Sequence, residues 1–322
     1  MHILIVCNGI IPVKKYGGTE RVVWWLGQEL HRRGHRITFL AAQGSQASFA
    51  QVLTYNPQKL IAEQVPDNVD MVHSFVPIQE PLPKPYIFTL EGNSRPYEEY
   101  DINTIFVSKN HAQRHNSEAF VYNGLGLDEY GKVDFNTTRN HLLFLGQDRK
   151  EKNLPGCRYI ARKVGETLVA GGAEKRNKLF INWQKDNTIY KGLVGGEEKL
   201  TLLRHSKALL FPVVWDEPFG IVMPESLYFG APVFGTCYGS LPEIVTKEVG
   251  FLSNNKEELV EAVKNLDSYD AKTCHEYVCD NFAAKQMADK YLMYYEQVLN
   301  GKSINEKKPK SVLTKNFKRY KF

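Results

Sequence analysis

Short apolar segments rich in β-branched residues alternate with helical patterns along most of this chain of 322 residues. In the first half, the apolar segments lie at 2–7, 37–42, 70–75, 86–90, 104–108 and 119–123. An amphipathic helix is predicted over 20–33, between the first two segments, and Gly34 ends it. Strands that alternate with helices in this way favour a parallel sheet with crossover helices. The alternation therefore predicts an α/β fold.

A second series of the same kind follows a polar, turn-rich stretch over 124–139, which we interpret as a linker. Its strands are predicted at 141–146, 167–170, 188–190, 208–211 and 232–236. A chain of this length is long enough to form two cores. We therefore predict two consecutive doubly wound domains, which bind ligands at the carboxyl ends of their strands. Two such domains facing one another would form a cleft.

Composition and cysteine spacing restrict the class of protein. Hydrophobic residues make up 43% and charged residues 24% of the chain, which is ordinary for a soluble globular protein. No segment approaches the roughly 20 apolar residues that span a bilayer, and the first residues are typical of a strand rather than a signal peptide. The five cysteines show no C-x-x-C spacing, which argues against a zinc site and against a disulfide framework. These observations predict a cytoplasmic protein.

Positive charge is concentrated near the end of the sequence. Residues 302–322 contain seven Lys and one Arg against a single Glu and carry +7, whereas the whole chain carries +5. The remainder is therefore slightly acidic, at −2, which argues against nucleic-acid binding by the body of the protein. Two interpretations of this basic tail remain open. It is either a disordered, solvated end or a peripheral contact with anionic lipid headgroups at the inner face of the membrane.

The segment from Glu217 to Glu225 carries the most specific chemical signal. Pro224 lacks a backbone N–H and is tolerated only in a first helical turn, so a short helix is predicted over 221–229. The N–H groups and the positive dipole end at its start would attract a phosphate, whereas Glu217 would accept hydrogen bonds from sugar hydroxyls. The segment thus suits a sugar joined to a diphosphate. The alternative is that Glu217 is a loop acid and Glu225 an ordinary helix acid.

This segment resembles the E-x7-E element of retaining glycosyltransferases with the GT-B fold, specifically family 4 (glycosyltransferases group 1). The loop that contains Gly17 and Gly18 is similar to the N-terminal signature of that family, where the glycines approach the donor diphosphate and the acceptor. The resemblance runs from residue 1 to about residue 299, is strongest over 209–245 and is weak over 45–64.

The resemblance implies two Rossmann-like domains that face each other across a cleft. Residues 1–130 would form the acceptor-side domain, and residues 131–282 would form the domain that binds the nucleotide sugar. A helix over 283–301 would return to the first domain, which leaves 302–322 as a basic, disordered tail.

The resemblance also implies which residues of this chain bind the donor. Lys152 falls at the family's lysine position on the diphosphate, but Gln147 stands at the arginine position, and Arg149 would supply that charge. Glu217 would hold the sugar, and Glu225 would hold the nucleotide ribose. The remaining donor contacts would come from backbone groups of Gly17, Gly18, Val194, Phe219, Gly220 and Ile221.

Glu91 is a departure from the family, which has a histidine over the sugar ring at this position. A carboxylate at this position would accept a hydrogen bond from a sugar hydroxyl, or would stabilise positive charge at the anomeric carbon. The alternative is that the protein has lost activity or uses a different donor.

The predicted function is retaining transfer of a sugar from a nucleoside-diphosphate sugar to a hydroxyl of a sugar, lipid-linked or small-molecule acceptor, in cell-envelope glycan or glycoconjugate biosynthesis. The catalytic residues would be Glu217, Glu91 and Lys152. No enzymic nucleophile is required, because in the family's front-face mechanism a departing phosphate oxygen takes the acceptor's proton. No metal and no further cofactor are expected, because lysine and helix N–H groups neutralise the diphosphate. The alternatives are an epimerase of the same fold and a non-catalytic sugar-nucleotide-binding protein. A dehydrogenase is disfavoured, since no G-x-G-x-x-G follows a strand.

Overall fold

The computed structural model describes residues 1–15, 17–174, 187–313 and 320–322. Spatial contacts divide these residues into two compact units. Unit 1 comprises Met1–Val13, Gly17–Gly126 and 282–313. Unit 2 comprises 14–15, 320–322 and the described part of Leu127–Asn281.

Unit 1 contains a six-stranded parallel sheet with the strand order β3-β2-β1-β4-β5-β6. The strands β1 and β4 are buried along their whole length, because crossover helices cover both faces of a parallel sheet. The first elements of this unit are β1 (His2–Val6), α1 (Gly18–Arg32), β2 (Arg36–Ala41), β3 (Gln51–Thr54), β4 (Met71–Ser74), β5 (Tyr86–Leu90), β6 (Thr104–Phe106) and α2 (Lys109–Gln113).

Unit 2 contains a second six-stranded parallel sheet, in which the strand order is β12-β11-β10-β7-β8-β9. Its elements are β7 (His141–Leu145), α3 (Leu154–Val164), β8 (Leu168–Gly171), β9 (Thr188–Gly192), α4 (Gly196–Arg204), β10 (Ser206–Phe211), α5 (Val222–Tyr228), β11 (Val233–Gly235), α6 (Leu241–Ile244), β12 (Gly250–Leu252), α7 (Lys256–Lys264) and α8 (Ala271–Asn281). Counted within each unit, both sheets follow the Rossmann strand order, which reverses direction between the first and fourth strands. The predicted α/β fold with two doubly wound sheets is therefore confirmed.

The helix α9 (Ala284–Leu299) follows unit 2 in sequence but packs in unit 1, against α1 and β5. Tyr291 and Tyr295 are buried on its inner face, and the Tyr295 hydroxyl lies 2.7 Å from Nδ1 of His73. The Leu125 N–H donates to the Phe282 carbonyl at 2.7 Å, just before the helix begins. The return of this helix to the first unit agrees with the fold that the resemblance implies.

The strand predicted at 119–123 does not form, and only an isolated bridge joins Phe106 to Phe120. Two short strands were not predicted, Gln51–Thr54 and Gly250–Leu252. The first is an edge strand without a buried residue, so its hydrophobic pattern is weak. The second is only three residues long and begins with glycine, which strand propensity disfavours.

The basic tail differs from the disordered segment that the sequence predicts. Within 302–313, the Tyr100 N–H donates to the Pro309 carbonyl at 2.9 Å, and the Ser311 N–H donates to the Glu98 carbonyl at 2.8 Å. Ser311 is only 3% exposed, and residues 320–322 make separate contacts with unit 2. Composition gives no sign of this order, because backbone groups rather than side chains make these hydrogen bonds. Residues 314–319 of the predicted tail lie outside the described residues.

Candidate active site

The candidate site in unit 2 lies where the adjacent strands β7 and β10 end. These strands pair in parallel, with Leu143 opposite Leu209, so their carboxyl ends lie at the same edge of the sheet. They are also the first and fourth strands of the unit, the switch point at which doubly wound sheets bind ligands. The loops that follow them contact each other, since the Val214 N–H donates to the Glu151 carbonyl at 2.9 Å.

Lys152 and Glu217 form an ion pair between these two loops. The Lys152 Nζ donates to Oε2 of Glu217 at 2.6 Å, although the two residues are 65 positions apart in sequence. The side chains are 17% and 7% exposed, so the pair is largely shielded from water. The structure therefore brings together the predicted diphosphate-binding cation and the predicted sugar-binding carboxylate.

Trp215 completes this group, and sequence reasoning missed it. Its Nε1–H donates to the same Oε2 of Glu217 at 2.6 Å. The Lys152 Nζ lies 5.1 Å from the indole centroid, and the Arg149 guanidinium lies over the same ring at 5.6 Å. Both distances suit cation–π attraction. An indole that holds two cations and a carboxylate is an organising residue, and an aromatic residue two positions before the glutamate was the available sequence signal.

Arg149 is the more exposed of the two predicted cations. Its side chain is 52% exposed and lies 2.5 Å from Oε1 of Glu151. An exposed pair of this kind contributes little to stability, typically about 0–1 kcal/mol, so a stronger anion can replace Glu151 at low cost. Gln147, at the position of the family's arginine, lies in the same loop and is exposed.

Left-handed backbone shapes both loops of the site. Asn153 has a φ of 55° and caps α3 by accepting from the Gly156 N–H at 3.1 Å. Asparagine is one of the few residues that adopt this conformation at low cost. In the other loop Gly220 has a φ of 79°.

The helix α5 begins one residue after the predicted start and ends one residue before the predicted end. Ile221 is its N-cap, Pro224 lies in its first turn as predicted, and Gly230 follows it with a φ of 75°. Glycine at such a position ends a helix in the left-handed conformation. The predicted backbone donors Phe219, Gly220 and Ile221 therefore lie in the turn between Glu217 and the helix.

The loop before α6 packs directly on Glu217. The Ser240 N–H donates to the Glu217 carbonyl at 2.9 Å, and the Ser240 hydroxyl donates to the Phe219 carbonyl at 2.8 Å. Gly239 has a φ of 65°, and a Cβ at this position would lie 2.2 Å from the Glu217 nitrogen. Only glycine fits there, so this close approach fixes the backbone of Glu217.

Glu225 is 1% exposed and already has two protein partners. The Tyr130 hydroxyl donates to its Oε1 at 2.6 Å, and the Lys199 Nζ donates to the same oxygen. Sequence reasoning found neither partner, because each belongs to a distant element without a motif of its own. Val194, predicted to read the base, is 6% exposed, with its side chain against Gly171.

Glu91, Gly17 and Gly18 belong to unit 1, at the carboxyl end of its sheet. Oε2 of Glu91 accepts from the Asn123 amide at 2.8 Å, whereas its buried Oε1 has no hydrogen-bond partner among the residues that the structure describes. Burial raises the pKa of the Glu91 carboxyl to about 7; the Asn123 hydrogen bond opposes this rise and the nearby Glu20 carboxylate adds to it. Glu91 therefore changes its protonation state close to neutral pH.

Gly17 is required by the loop before α1. Its φ is 152°, and a Cβ there would lie 2.6 Å from Oε2 of Glu20 and 2.8 Å from the Val13 side chain. Gly18 is different, because a Cβ at this position would meet nothing within 4 Å. The backbone of Gly18 is therefore open to close approach by another molecule.

Two kinds of feature are absent from the described residues. No helix within 1–15, 17–174, 187–313 and 320–322 is long and apolar enough to cross a membrane. Across the same part of the chain, no group of three or more His, Cys, Asp or Glu side chains is placed to hold a metal ion.

Sequence comparison connects unit 2 with a known family. Residues 128–278 match the family model described as "Glycosyl transferases group 1". An uncharacterised 41.2-kDa protein in the cps region of Klebsiella pneumoniae is 24% identical over 197 residues. That alignment covers 55% of this chain and 54% of the Klebsiella protein, so the chain spans about half the length of this relative.

Structural comparison extends the similarity to both units. AviGT4, a glycosyltransferase involved in avilamycin A biosynthesis, superposes with a TM-score of 0.81 and 22% identity, covering 93% of this chain and 98% of that protein. Anabaena Alr3699/HepE, solved in complex with UDP and glucose, gives a TM-score of 0.65 and 13% identity, covering 92% and 100%. Residues 128–278 thus match the glycosyl transferases group 1 family, and the chain has the GT-B fold of solved glycosyltransferases.

Proposed function

We propose that this protein is a retaining glycosyltransferase of family 4, which transfers a sugar from a nucleoside-diphosphate sugar to a hydroxyl of an acceptor. The observation that carries the proposal is the Lys152–Glu217 pair at the switch point of unit 2. This pair lies inside the region that matches the family, on the loops where the resemblance expects the donor to bind.

The cations of the site suit the charge that develops on the departing nucleoside diphosphate. A lysine ammonium has three donors, so Lys152 can remain bonded to Glu217 while it donates to a phosphate oxygen. Arg149, whose own side chain is half-exposed, can leave Glu151 for the same ligand. The N–H groups in the turn from Phe219 to Ile221 would add further donors. Preorganised donors of this kind each contribute about 10²–10³ to the rate in other enzymes.

The carboxylates suit the sugar and the ribose. Glu217 would accept hydrogen bonds from sugar hydroxyls, and its position is fixed by Trp215 and by the Ser240 N–H. Since Oε1 of Glu225 already accepts from Tyr130 and Lys199, we assign the ribose hydroxyls to Oε2. Glu91 would contact the sugar ring, as the resemblance implies for the residue at this position.

The proposed reaction needs neither a metal ion nor an enzymic nucleophile. A departing phosphate oxygen would take the proton of the acceptor hydroxyl, and the new glycosidic bond would form on the face that the phosphate leaves. The cps-region relative supports an acceptor in cell-envelope glycan biosynthesis. A cytoplasmic location, and contact of the basic tail with an anionic inner membrane face, belong to the same proposal.

The proposal is tested by donor binding and turnover. A thermal-shift panel of UDP, GDP, ADP and TDP would identify the base, because a ligand at 100 times its dissociation constant stabilises a protein by about 2.7 kcal/mol. The sugar nucleotide of that base is then incubated with the enzyme, and NMR gives the anomeric configuration of the product. An inverted product would refute retention, and absence of any nucleoside diphosphate release would refute transfer.

A non-catalytic sugar-nucleotide-binding protein is the second candidate function. The observations that favour it are Gln147, which puts an uncharged residue at the family's arginine position, and Glu91, at the family's histidine position. Tight binding of a sugar nucleotide without slow hydrolysis would support this alternative over the transferase.

A further inference from the structure

Tyr320 docks on the loop that contains Trp215 and Glu217. Its backbone N–H donates to the Val214 carbonyl at 2.9 Å, and its hydroxyl donates to Oδ2 of Asp216 at 2.6 Å. Both contacts lie within three residues of Glu217. A residue far away in sequence is therefore bonded on two sides of Trp215.

The same tyrosine also contacts the second loop that packs on Glu217. Its ring stacks on Tyr238, with the centroids 4.4 Å apart and the planes inclined by 29°. The Tyr238 hydroxyl donates to the Lys321 carbonyl at 2.9 Å. Tyr238 immediately precedes Gly239 and Ser240, which hold the Glu217 backbone.

The next residues anchor this contact in unit 2. Phe322 packs against the hydrophobic core that contains Leu154 and Cys157, and a Cβ at Gly156 would lie 2.7 Å from the Phe322 ring. The Lys321 side chain is exposed, so this residue takes part through its backbone. Two aromatic anchors thus flank an exposed lysine.

We propose that Tyr320 is a positioning residue for Glu217, bridging the 214–217 loop and the 238–240 loop on either side of that carboxylate. The inference rests on the proposed function, since Glu217 matters for catalysis only if it holds the sugar. Gly239 and Ser240 already restrain the Glu217 backbone, and Tyr320 joins the same two loops at Val214, Asp216 and Tyr238, so it adds to that restraint. The segment of the chain that sequence composition describes as a basic tail then has a structural task at the candidate site.

The expected kinetic effect falls on turnover. Outside the 214–217 loop, Lys152 is held by the hydrogen bond from its N–H to the Arg149 carbonyl at 3.1 Å, and its Nζ lies 5.1 Å from the Phe211 ring centroid, so the diphosphate contact should survive when Tyr320 is changed. A misplacement of about 1 Å can cost about 10² in rate, so Tyr320→Ala should lower kcat by about 10- to 100-fold. The donor KM should stay within about threefold, because the contacts of the nucleotide are unchanged.

The experiment compares Tyr320→Ala, Tyr320→Phe and Lys321→Ala by kinetics and by hydrogen–deuterium exchange of the peptide that covers 213–217. We expect exchange of this peptide to be faster in Tyr320→Ala, intermediate in Tyr320→Phe, which keeps the ring, and unchanged in Lys321→Ala, which keeps the backbone carbonyl. If Tyr320→Ala does not fold, Tyr320→Phe decides, since it removes only the hydroxyl bonded to Asp216.

The exchange measurement separates this inference from the proposed function. Unchanged exchange and unchanged kcat in the Tyr320 variants would overturn the positioning role. Exchange that rises equally in Lys321→Ala would also overturn it, because the charge of the tail rather than docking of Tyr320 would then be responsible. If the wild type turns over no sugar nucleotide, the proposed function fails, while the exchange data still decide whether Tyr320 orders the loop.

Discussion

The replacement of Lys152 by Met should destabilise unit 2 by an amount that follows from the burial of its ion pair. The change leaves the Glu217 carboxylate, which is 7% exposed, with Trp215 Nε1 as its side-chain hydrogen-bond donor among the described residues. Removal of one partner from a buried ion pair costs about 3–5 kcal/mol, because the other charge stays buried and uncompensated. The retained indole hydrogen bond and the partial exposure of Lys152 place the expected loss near the lower end, at about 3 kcal/mol.

Thermal denaturation measures this loss directly. For a domain of about 150–250 residues, 1 kcal/mol corresponds to about 2–4 °C in Tm, so Lys152→Met should melt about 6–12 °C below the wild type. Lys150→Met is the matched control, because Lys150 is exposed in the same turn and its loss should cost less than about 0.5 kcal/mol.

The double variant Lys152→Met with Glu217→Gln adds a second check. The double variant removes the charges of both Lys152 and Glu217, so it should be more stable than Lys152→Met alone, even though it changes a second side chain. Equal melting temperatures for Lys152→Met and Lys150→Met would refute this expectation, since the Lys152–Glu217 pair would then be solvated. A loss of stability in the double variant equal to the sum of the losses in the two single variants would contradict the expectation in the same way.

Three further predictions concern other buried groups. Folding raises the pKa of the Glu91 carboxyl from 4.5 to about 7. Between these two pH values the folded protein keeps a proton that the unfolded chain has lost, so the free energy of unfolding should fall by up to about 3 kcal/mol as pH rises through that window. Urea denaturation at pH 5 and pH 8 should show this fall in the wild type and not in Glu91→Gln; parallel curves would contradict it. Glu225→Gln should weaken binding of the nucleoside diphosphate but not of pyrophosphate in calorimetry, because Glu225 is assigned to the ribose; equal losses would remove that assignment. Tyr295→Phe should cost about 1–3 kcal/mol in urea denaturation by leaving Nδ1 of the buried His73 without its hydroxyl partner, and an unchanged midpoint would contradict this.

Local sequence signals predicted the parts of the fold that depend on neighbours in the chain. The buried strands of both sheets follow from apolar, β-branched segments, and Pro224 and Gly230 define the two ends of α5 within one residue. The lysine and the glutamate of the candidate site were found because motif spacing and family resemblance concern short segments. These features are encoded within a few residues of where they act.

Contacts between distant segments were not predictable in the same way. The pairing of Lys152 with Glu217 depends on β7 and β10 being adjacent, and this strand order reverses at the switch point rather than following the sequence. The ring of Tyr320 acts through geometry that no spacing rule contains, whereas Trp215 left one signal in the sequence, an aromatic residue two positions before Glu217. Glu225 shows the same limit, because its partner Lys199 lies on the separate helix α4.

The roles of the predicted residues follow from their chemistry and remain predictions. The resemblance assigned a cation and a carboxylate to the donor, and the structure adds that they bond to each other. A ligand must therefore enter a site whose charges are already balanced. A diphosphate can do so by using the remaining donors of Lys152, which leaves the carboxylate for the sugar.

The most direct test of this account is the turnover of a sugar nucleotide by Glu217→Gln, with binding of the nucleoside diphosphate measured on the same sample. We expect affinity for the diphosphate to stay within about threefold of the wild type, while release of the nucleoside diphosphate from the sugar nucleotide falls by about 10² or more. Turnover by the variant at the wild-type rate would contradict the claim that this carboxylate holds the sugar beside the diphosphate.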